Sequence, residues 1–170
     1  MKERTDFNER LGFLKDTMMN QVYYKNALDN KANVLLGVAG VIFGLSLTQI
    51  GTIASPASQA GLIVLIATTI LVSLLCIWTI KMPFQKRKFK QRLMCFYGFE
   101  GMNFMEYRKA VGKMFDSKDQ LVDEYLTEIY GLYRNSIEPK YALVRASAAI
   151  LTVGLVIGGL LIIASKAFSM

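Results

Sequence analysis

The stretch ANVLLGVAGVIFGLSLTQIGTIASPASQAGLIVLIATTILVSLLCIWTI, residues 32–80, decides the fold. It contains no Asp, Glu, Lys or Arg, although the 170-residue chain carries 20 basic and 13 acidic side chains. A helix needs about 20 mostly apolar residues to cross a hydrocarbon core of roughly 30 Å. Because GTIASPASQAG in the middle has the composition of a short turn, the stretch predicts a transmembrane hairpin with spans at 33–53 and 62–80.

A third apolar segment, residues 146–165, meets the same length requirement. The chain is 53% hydrophobic with a mean hydropathy of +0.33. A buried core hairpin in a soluble domain is the alternative, but a chain of this size rarely buries three such segments. We therefore predict an all-α membrane protein with three transmembrane helices and a small helical cytoplasmic domain. The first 31 residues are polar and charged, unlike a cleavable signal peptide.

The distribution of Lys and Arg predicts the orientation. Residues 1–31 hold six of them, 81–145 hold thirteen, the 51–61 turn holds none and the C-terminal tail holds one. Loops rich in Lys and Arg remain in the cytoplasm, so the expected topology is N-in/C-out. The predicted divisions are a cytoplasmic amphipathic helix continuing into the first span (1–32), the transmembrane hairpin (33–80), a cytoplasmic helical domain (81–140) and the third transmembrane helix (141–170).

Apolar residues in the N-terminal arm recur at helical spacing, which predicts an amphipathic helix continuous with the first span. Its apolar stripe needs a partner, either the central segment or another subunit. The stripe comprises Phe7, Leu11, Leu14, Met18, Val22 and Leu28.

The central segment predicts two further helices. LMCFYGFEGM, residues 93–102, has no helical period and reads as a strand-like loop or reentrant corner. Asn103 with Glu106, and Ser117 with Gln120, have the spacing of helix-capping pairs. The second helix is expected to be amphipathic and to kink or end at Pro139. Its expected apolar stripe includes Leu121, Leu126, Tyr130 and Tyr133, and its carboxylates, including Asp119, Asp123 and Glu128, are expected on a solvated face.

Several absences argue against an enzyme. The chain has no histidine, which is the usual general base and a common metal ligand. No Ser or Cys lies in a nucleophile motif, and no glycine-rich phosphate loop occurs. Cys76 and Cys95 form no ligand spacing. We expect no catalytic residue, metal, cofactor or nucleic-acid partner.

Six basic residues lie between Lys81 and Arg92, with no acidic residue among them. Attraction to anionic lipid, about 1 kcal/mol per basic residue, explains such a cluster. The alternative is a phosphate subsite, in which Lys81 and Arg87 would bind an anion through charge-assisted hydrogen bonds.

Asp29 and Lys31 lie at the edge of the first span. Lys31 can extend to the headgroups by its own stem, but a carboxylate at the hydrocarbon edge is costly unless it is paired or hydrated. The topology brings Lys81, Lys140 and Arg145 to the same depth as Asp29. A structural clamp between spans is one interpretation, and a ligand-contacting or gating role is the other.

Glycines recur along the spans at spacings that allow close helix packing. They serve either packing within one three-helix unit or assembly of subunits, and two such faces favour a homo-oligomer. The residues are Gly37, Gly40 and Gly44 in the first span and Gly154 and Gly158 in the third.

The order of several motifs resembles the transmembrane effectors of the bacterial Pycsar anti-phage system. The resemblance covers about residues 20–165. It rests on D-x-K-A-x-x-L-L from Asp29 to Leu36, an aromatic-glycine corner at Phe96, Tyr97 and Gly98, a helix with Tyr107, and IYGLYRNSIEPKYALVRAS at 129–147. FYGFEGM and Pro139 depart from the family pattern.

The resemblance implies a defence role in the bacterial inner membrane, with several spans per chain. A partner pyrimidine cyclase would make a cyclic pyrimidine mononucleotide, cUMP or cCMP, and the effector would then impair the membrane. The alternatives are a related two-helix-type stress effector answering a different ligand, or a non-sensing membrane scaffold. Membrane lipid is the expected surrounding in every case.

Overall fold

The computed structural model describes residues 2–51, 55–82, 102–115 and 117–167. Within these ranges the chain is helical and contains no strand, which confirms the predicted all-α class. All but the last residue of the predicted corner at 93–102 lie outside the described residues. The elements are α1 (Lys2–Gln49), α2 (Pro56–Lys81), α3 (Phe104–Phe115), α4 (Lys118–Leu132), a π-helical turn (Tyr133–Ile137) and α5 (Glu138–Ala167).

Three helical stretches in the described part of the chain are long and apolar enough to cross a membrane: Phe7–Gln49, Pro56–Lys81 and Lys118–Ser165. They contain the three predicted spans, except that α1 ends at Gln49 where the first span was expected to reach residue 53. The three-helix transmembrane prediction is therefore confirmed. The orientation N-in/C-out remains a prediction.

The chain forms two compact units. The first, which we call the polar unit, comprises Met1–Asn26 and Pro83–Pro139. The second, the apolar unit, comprises Ala27–Met82 and Lys140–Met170. Because α1 and α5 run through residues 26–27 and 139–140 without interruption, each of these helices contributes to both units.

In the polar unit, the N-terminal half of α1 lies along α4. Leu14 and Leu121 are buried, and the Lys118 ammonium lies 5.3 Å from the centre of the Phe7 ring, within the range of a cation–π contact. Val22, predicted in the apolar stripe of α1, is 40% exposed. The stripe is therefore narrower than its helical spacing predicted.

Reciprocal side-chain hydrogen bonds begin α3, as the capping pair predicted. The backbone amide of Asn103 donates to Glu106 Oε2 at 3.0 Å, and the backbone amide of Glu106 donates to Asn103 Oδ1 at 2.9 Å. At the start of α4, the backbone amide of Gln120 donates to Ser117 Oγ at 3.3 Å. These bonds occupy backbone donors that a first helical turn leaves unpaired, so both predicted caps are confirmed.

The inward face of α4 differs from the predicted one. Leu121, Glu128 and Leu132 are buried, whereas Leu126 and Tyr130 are exposed. Glu128 and Leu132 follow Leu121 by seven and eleven residues, which places all three on one side of the helix. Leu126 and Tyr130 follow Leu121 by five and nine residues, which places them on the opposite side. The expectation of a solvated Glu128 is therefore wrong, because this carboxylate is only 5% exposed.

Pro139 does not end the helix. A π-helical turn at Tyr133–Ile137 precedes it, in which the Glu138 amide donates to the Tyr133 carbonyl five residues back. Proline lacks an amide hydrogen and crowds the carbonyl four residues earlier, and the wider π turn accommodates both defects. The chain therefore continues directly into α5.

The apolar unit packs α1, α2 and α5 around a common core. Its buried hydrophobic residues come from all three helices, and most of the large apolar side chains lie on the outside, where a membrane would surround them. The core comprises Ala32, Ala39, Val72, Cys76, Val144 and Leu151.

Candidate functional site

A buried ion pair joins α1 to α5 inside the apolar unit. The Lys140 ammonium donates to Asp29 Oδ1 at 2.5 Å. The Lys140 side chain is 3% exposed and that of Asp29 is 27% exposed. The pair thus connects two residues 111 positions apart, next to the points where α1 and α5 enter the apolar unit.

The environment makes each partner depend on the other. A buried ammonium loses its hydration, which costs several kcal/mol unless a counter-charge lies beside it. Lys140 supplies three hydrogens but makes one hydrogen bond, to Asp29, among the described residues. Asp29 keeps part of its surface accessible. The site therefore holds a cation with two hydrogens that no described residue accepts, beside a carboxylate that water can reach.

Three other residues predicted for this site make no comparable contact. Lys31, Lys81 and Arg145 are exposed, and none of the three makes a hydrogen bond or ion pair with a described residue. Their long stems suit extension toward lipid headgroups. Arg87 lies outside the described residues. Of the six predicted residues, the structure joins Asp29 and Lys140.

The glycines of α5 pack within the chain. A methyl group added to Gly158 would lie 2.6 Å from the Leu65 side chain, and one added to Gly61 would lie 2.8 Å from the Gly158 carbonyl oxygen. A methyl group added to Gly154 would lie still closer to the Thr68 side chain. These glycines let α2 and α5 approach closely.

The glycines of α1 have no such neighbour. A methyl group added to Gly37, Gly40 or Gly44 would meet no described atom within 4 Å. The same holds for Gly159 on α5. The three α1 glycines are exposed, on the side of the helix away from the buried Ala32 and Ala39.

The sequence did not predict two features of the polar unit. A shallow hollow of about 370 Å³ lies between α1 and α4, lined by Glu9, Arg10, Phe13, Leu14 and Val122. Its lining residues come from helices far apart in sequence, so only their relative packing reveals it. Burial of Glu128 was missed for the same reason.

The π turn carries an ion pair of its own. Arg134 donates to Glu138 Oε2 at 2.5 Å on an exposed surface. This hydrogen bond, supported by the charge of Glu138, raises the pKa of Arg134 above its usual range. The described residues contain no group of His, Cys, Asp and Glu arranged to hold a metal ion.

Comparison with protein families decides the identity. The Pycsar effector protein domain, PycTM, matches residues 14–165, which include α1 from Leu14 and nearly all of α5. The chain belongs to the Pycsar effector family. No curated protein and no solved structure matches the chain.

Membership of the Pycsar family agrees with the resemblance found in the sequence. The protein is a multi-pass membrane protein of an anti-phage effector family. The family is one of membrane effectors and not a known enzyme family. The matched region contains both Asp29 and Lys140, so the ion pair lies within the family domain.

Proposed function

We propose that this Pycsar effector senses a cyclic pyrimidine mononucleotide, cUMP or cCMP, made by a partner pyrimidine cyclase, and then impairs the bacterial inner membrane as a homo-oligomer. The observation that carries the proposal is the Lys140–Asp29 ion pair, with its ammonium buried at 2.5 Å from the carboxylate. In a membrane effector, such a pair suits a latch that a competing anion opens.

The latch follows from the charges of the pair. A cyclic mononucleotide carries one phosphate charge, and phosphate oxygens accept strong hydrogen bonds from an ammonium. If the phosphate replaces Asp29, Lys140 stays neutralised and uses donors that are idle at rest. The Asp29 carboxylate then rotates toward the water to which it is already partly exposed. The exchange releases α1 from α5 without leaving a buried charge unpaired.

The exposed glycines of α1 supply the surface for assembly. Gly37, Gly40 and Gly44 leave a flat strip on which a second helix backbone can approach closely. The predicted orientation N-in/C-out places the latch at the cytoplasmic edge of the bilayer, where a cyclase product is available.

The test uses the full-length protein in lipid vesicles. We expect cUMP or cCMP to bind by calorimetry and to accelerate potassium efflux at least tenfold, with cAMP and cGMP as matched controls. Lys140→Met should bind more weakly and respond to neither pyrimidine nucleotide. The proposal fails if neither nucleotide binds or changes efflux. A response to cyclic oligonucleotides alone would indicate the different-ligand effector, and no response to any nucleotide would indicate a scaffold.

A further inference from the structure

The interior of the apolar unit contains polar as well as apolar side chains. Seven of its buried residues carry a hydroxyl or thiol, while large apolar side chains such as Val34, Ile70 and Leu160 are exposed. The rest of the interior is mainly Ala, Gly, Leu and Val. We call these seven residues the hydroxyl line: Ser46, Ser58, Thr69, Cys76, Thr79, Ser147 and Ser165.

The hydroxyl line extends across the thickness of a bilayer. Ser58 and Thr79 are the first and last of its members on α2, and 21 residues of helix span about 32 Å at 1.5 Å per residue. That length matches a hydrocarbon core of roughly 30 Å. Near one end of α2, the hydroxyls of Ser58 and Ser165 hydrogen-bond to each other. On α5, Lys140 lies two turns before Ser147.

Three of these hydroxyls do not hold the helices together. Ser46 donates to the Ile42 carbonyl at 2.8 Å, Thr69 to that of Ile66 at 2.9 Å and Thr79 to that of Leu75 at 2.8 Å. All three bonds lie within one helix, where they contribute nothing to packing between helices. They do satisfy the hydroxyl hydrogen in a dry interior and leave the oxygen able to accept a bond from water.

Ser147 is the exception, and it favours hydration. Its residue is fully buried, and its Oγ has no nitrogen or oxygen partner among the described residues. Its polar neighbour is the Cys76 sulfur, which accepts a hydrogen bond only weakly. A buried polar atom without a partner costs about 1–3 kcal/mol. Water entering the bundle would remove that cost.

We propose that the hydroxyl line is the route by which water and small ions cross each copy of the active effector. At rest the line is dry, and the Lys140–Asp29 pair holds its two helices together near Ser147. Release of the pair lets the helices separate enough to admit water. This inference rests on the proposed membrane-permeabilising function and adds that the route runs inside one protomer and not between protomers.

The natural thiol of Cys76 tests the route directly. Cys76 is fully buried in the hydroxyl line, and the other cysteine of the chain, Cys95, can be replaced by serine. A charged methanethiosulfonate reagent reacts only where water reaches a thiol, because the thiolate is the reactive form. In vesicles containing the Cys95→Ser protein, we expect labelling of Cys76 to rise at least tenfold when cUMP or cCMP triggers potassium efflux.

The two possible failures differ. Efflux with Cys76 still unlabelled would overturn the internal route while leaving the proposed function standing. Absence of efflux under every nucleotide would overturn the proposed function, and the route with it.

A pair of threonines provides the second test. Thr69→Val keeps the side-chain shape but removes a hydroxyl from the line, so triggered potassium efflux should fall at least tenfold. Thr152→Val is the matched control, because the Thr152 hydroxyl also donates within its own helix, to the Ala148 carbonyl at 2.9 Å, but lies on an exposed surface. Equal effects of the two substitutions on efflux, with both proteins inserted and nucleotide-binding, would overturn the proposal.

Discussion

Replacement of Asp29 by asparagine tests the latch at its central contact. The substitution keeps the size of the side chain and removes its charge, so the Lys140 ammonium, 3% exposed and 2.5 Å from its partner, loses its counter-charge. Separation of α1 from α5 would return that ammonium to water. We therefore expect Asp29→Asn to favour the open state without nucleotide.

The size of the effect depends on the burial of the pair. Removing one partner of a buried ion pair costs about 3–5 kcal/mol. Because Asp29 is 27% exposed, some water already reaches the site, and the lower value, about 3 kcal/mol, applies. A tenfold change in an equilibrium corresponds to about 1.4 kcal/mol, so the open state should gain roughly a hundredfold in population.

Potassium efflux from vesicles without nucleotide measures that population. Asp29→Asn should leak strongly, whereas Asp29→Glu, which retains the charge, should remain near the wild type. Asp29→Asn combined with Lys140→Met removes both charges and should close the protein again, because a missing pair costs far less than an unpaired ion. An unchanged leak in Asp29→Asn, or a double variant as leaky as the single one, would refute the latch.

Three further substitutions test other contacts. Gly158→Leu should separate α2 from α5 and lower the thermal unfolding temperature in detergent. Gly159 has open space around it, so Gly159→Leu should leave the unfolding temperature unchanged. Equal shifts in the two variants would contradict the close approach of α2 and α5. Gly40→Leu should weaken self-association, measured by energy transfer between labelled copies, whereas Gly159→Leu should not. Weaker association in Gly159→Leu alone would indicate that the interface lies on α5 and not on α1. Asn103→Ala should destabilise α3 by about 1 kcal/mol, seen as faster amide exchange in its first turn, and unchanged exchange would exclude a role for the cap.

Features governed by local chemistry could be predicted from the sequence. The two long apolar segments of the charge-free stretch at 32–80 were expected to be helical in a membrane, because lipid offers no partners for backbone groups. The caps at Asn103 and Ser117 require only that each side chain accept a hydrogen bond from the backbone amide three residues later. Family membership was predictable from the order of several such local motifs.

Features governed by helical phase could not be predicted. Topology offered Asp29 three cations at similar depth, but the choice of Lys140 depends on which way α5 faces. The π turn before Pro139 adds about one residue to the helix and rotates the side chains of α5 by about 100° around the helix axis. A regular period carried on from α4 therefore misassigns residues beyond the turn. Within α4 the burial of Glu128 and the exposure of Tyr130 depend instead on which side of the helix packs inward.

The use of the α5 glycines inside the chain would restrict the symmetry of the proposed assembly. With Gly154 and Gly158 packed against α2, the proposed contact surface is the open strip at Gly37, Gly40 and Gly44. A contact that uses the same face on both copies closes at two, because a ring of more copies requires a second, different face. A twofold dimer built this way has two helices pressed together on its axis and no central opening. The number of conducting routes would then equal the number of copies, so a dimer with one disabled protomer should retain half of its conductance.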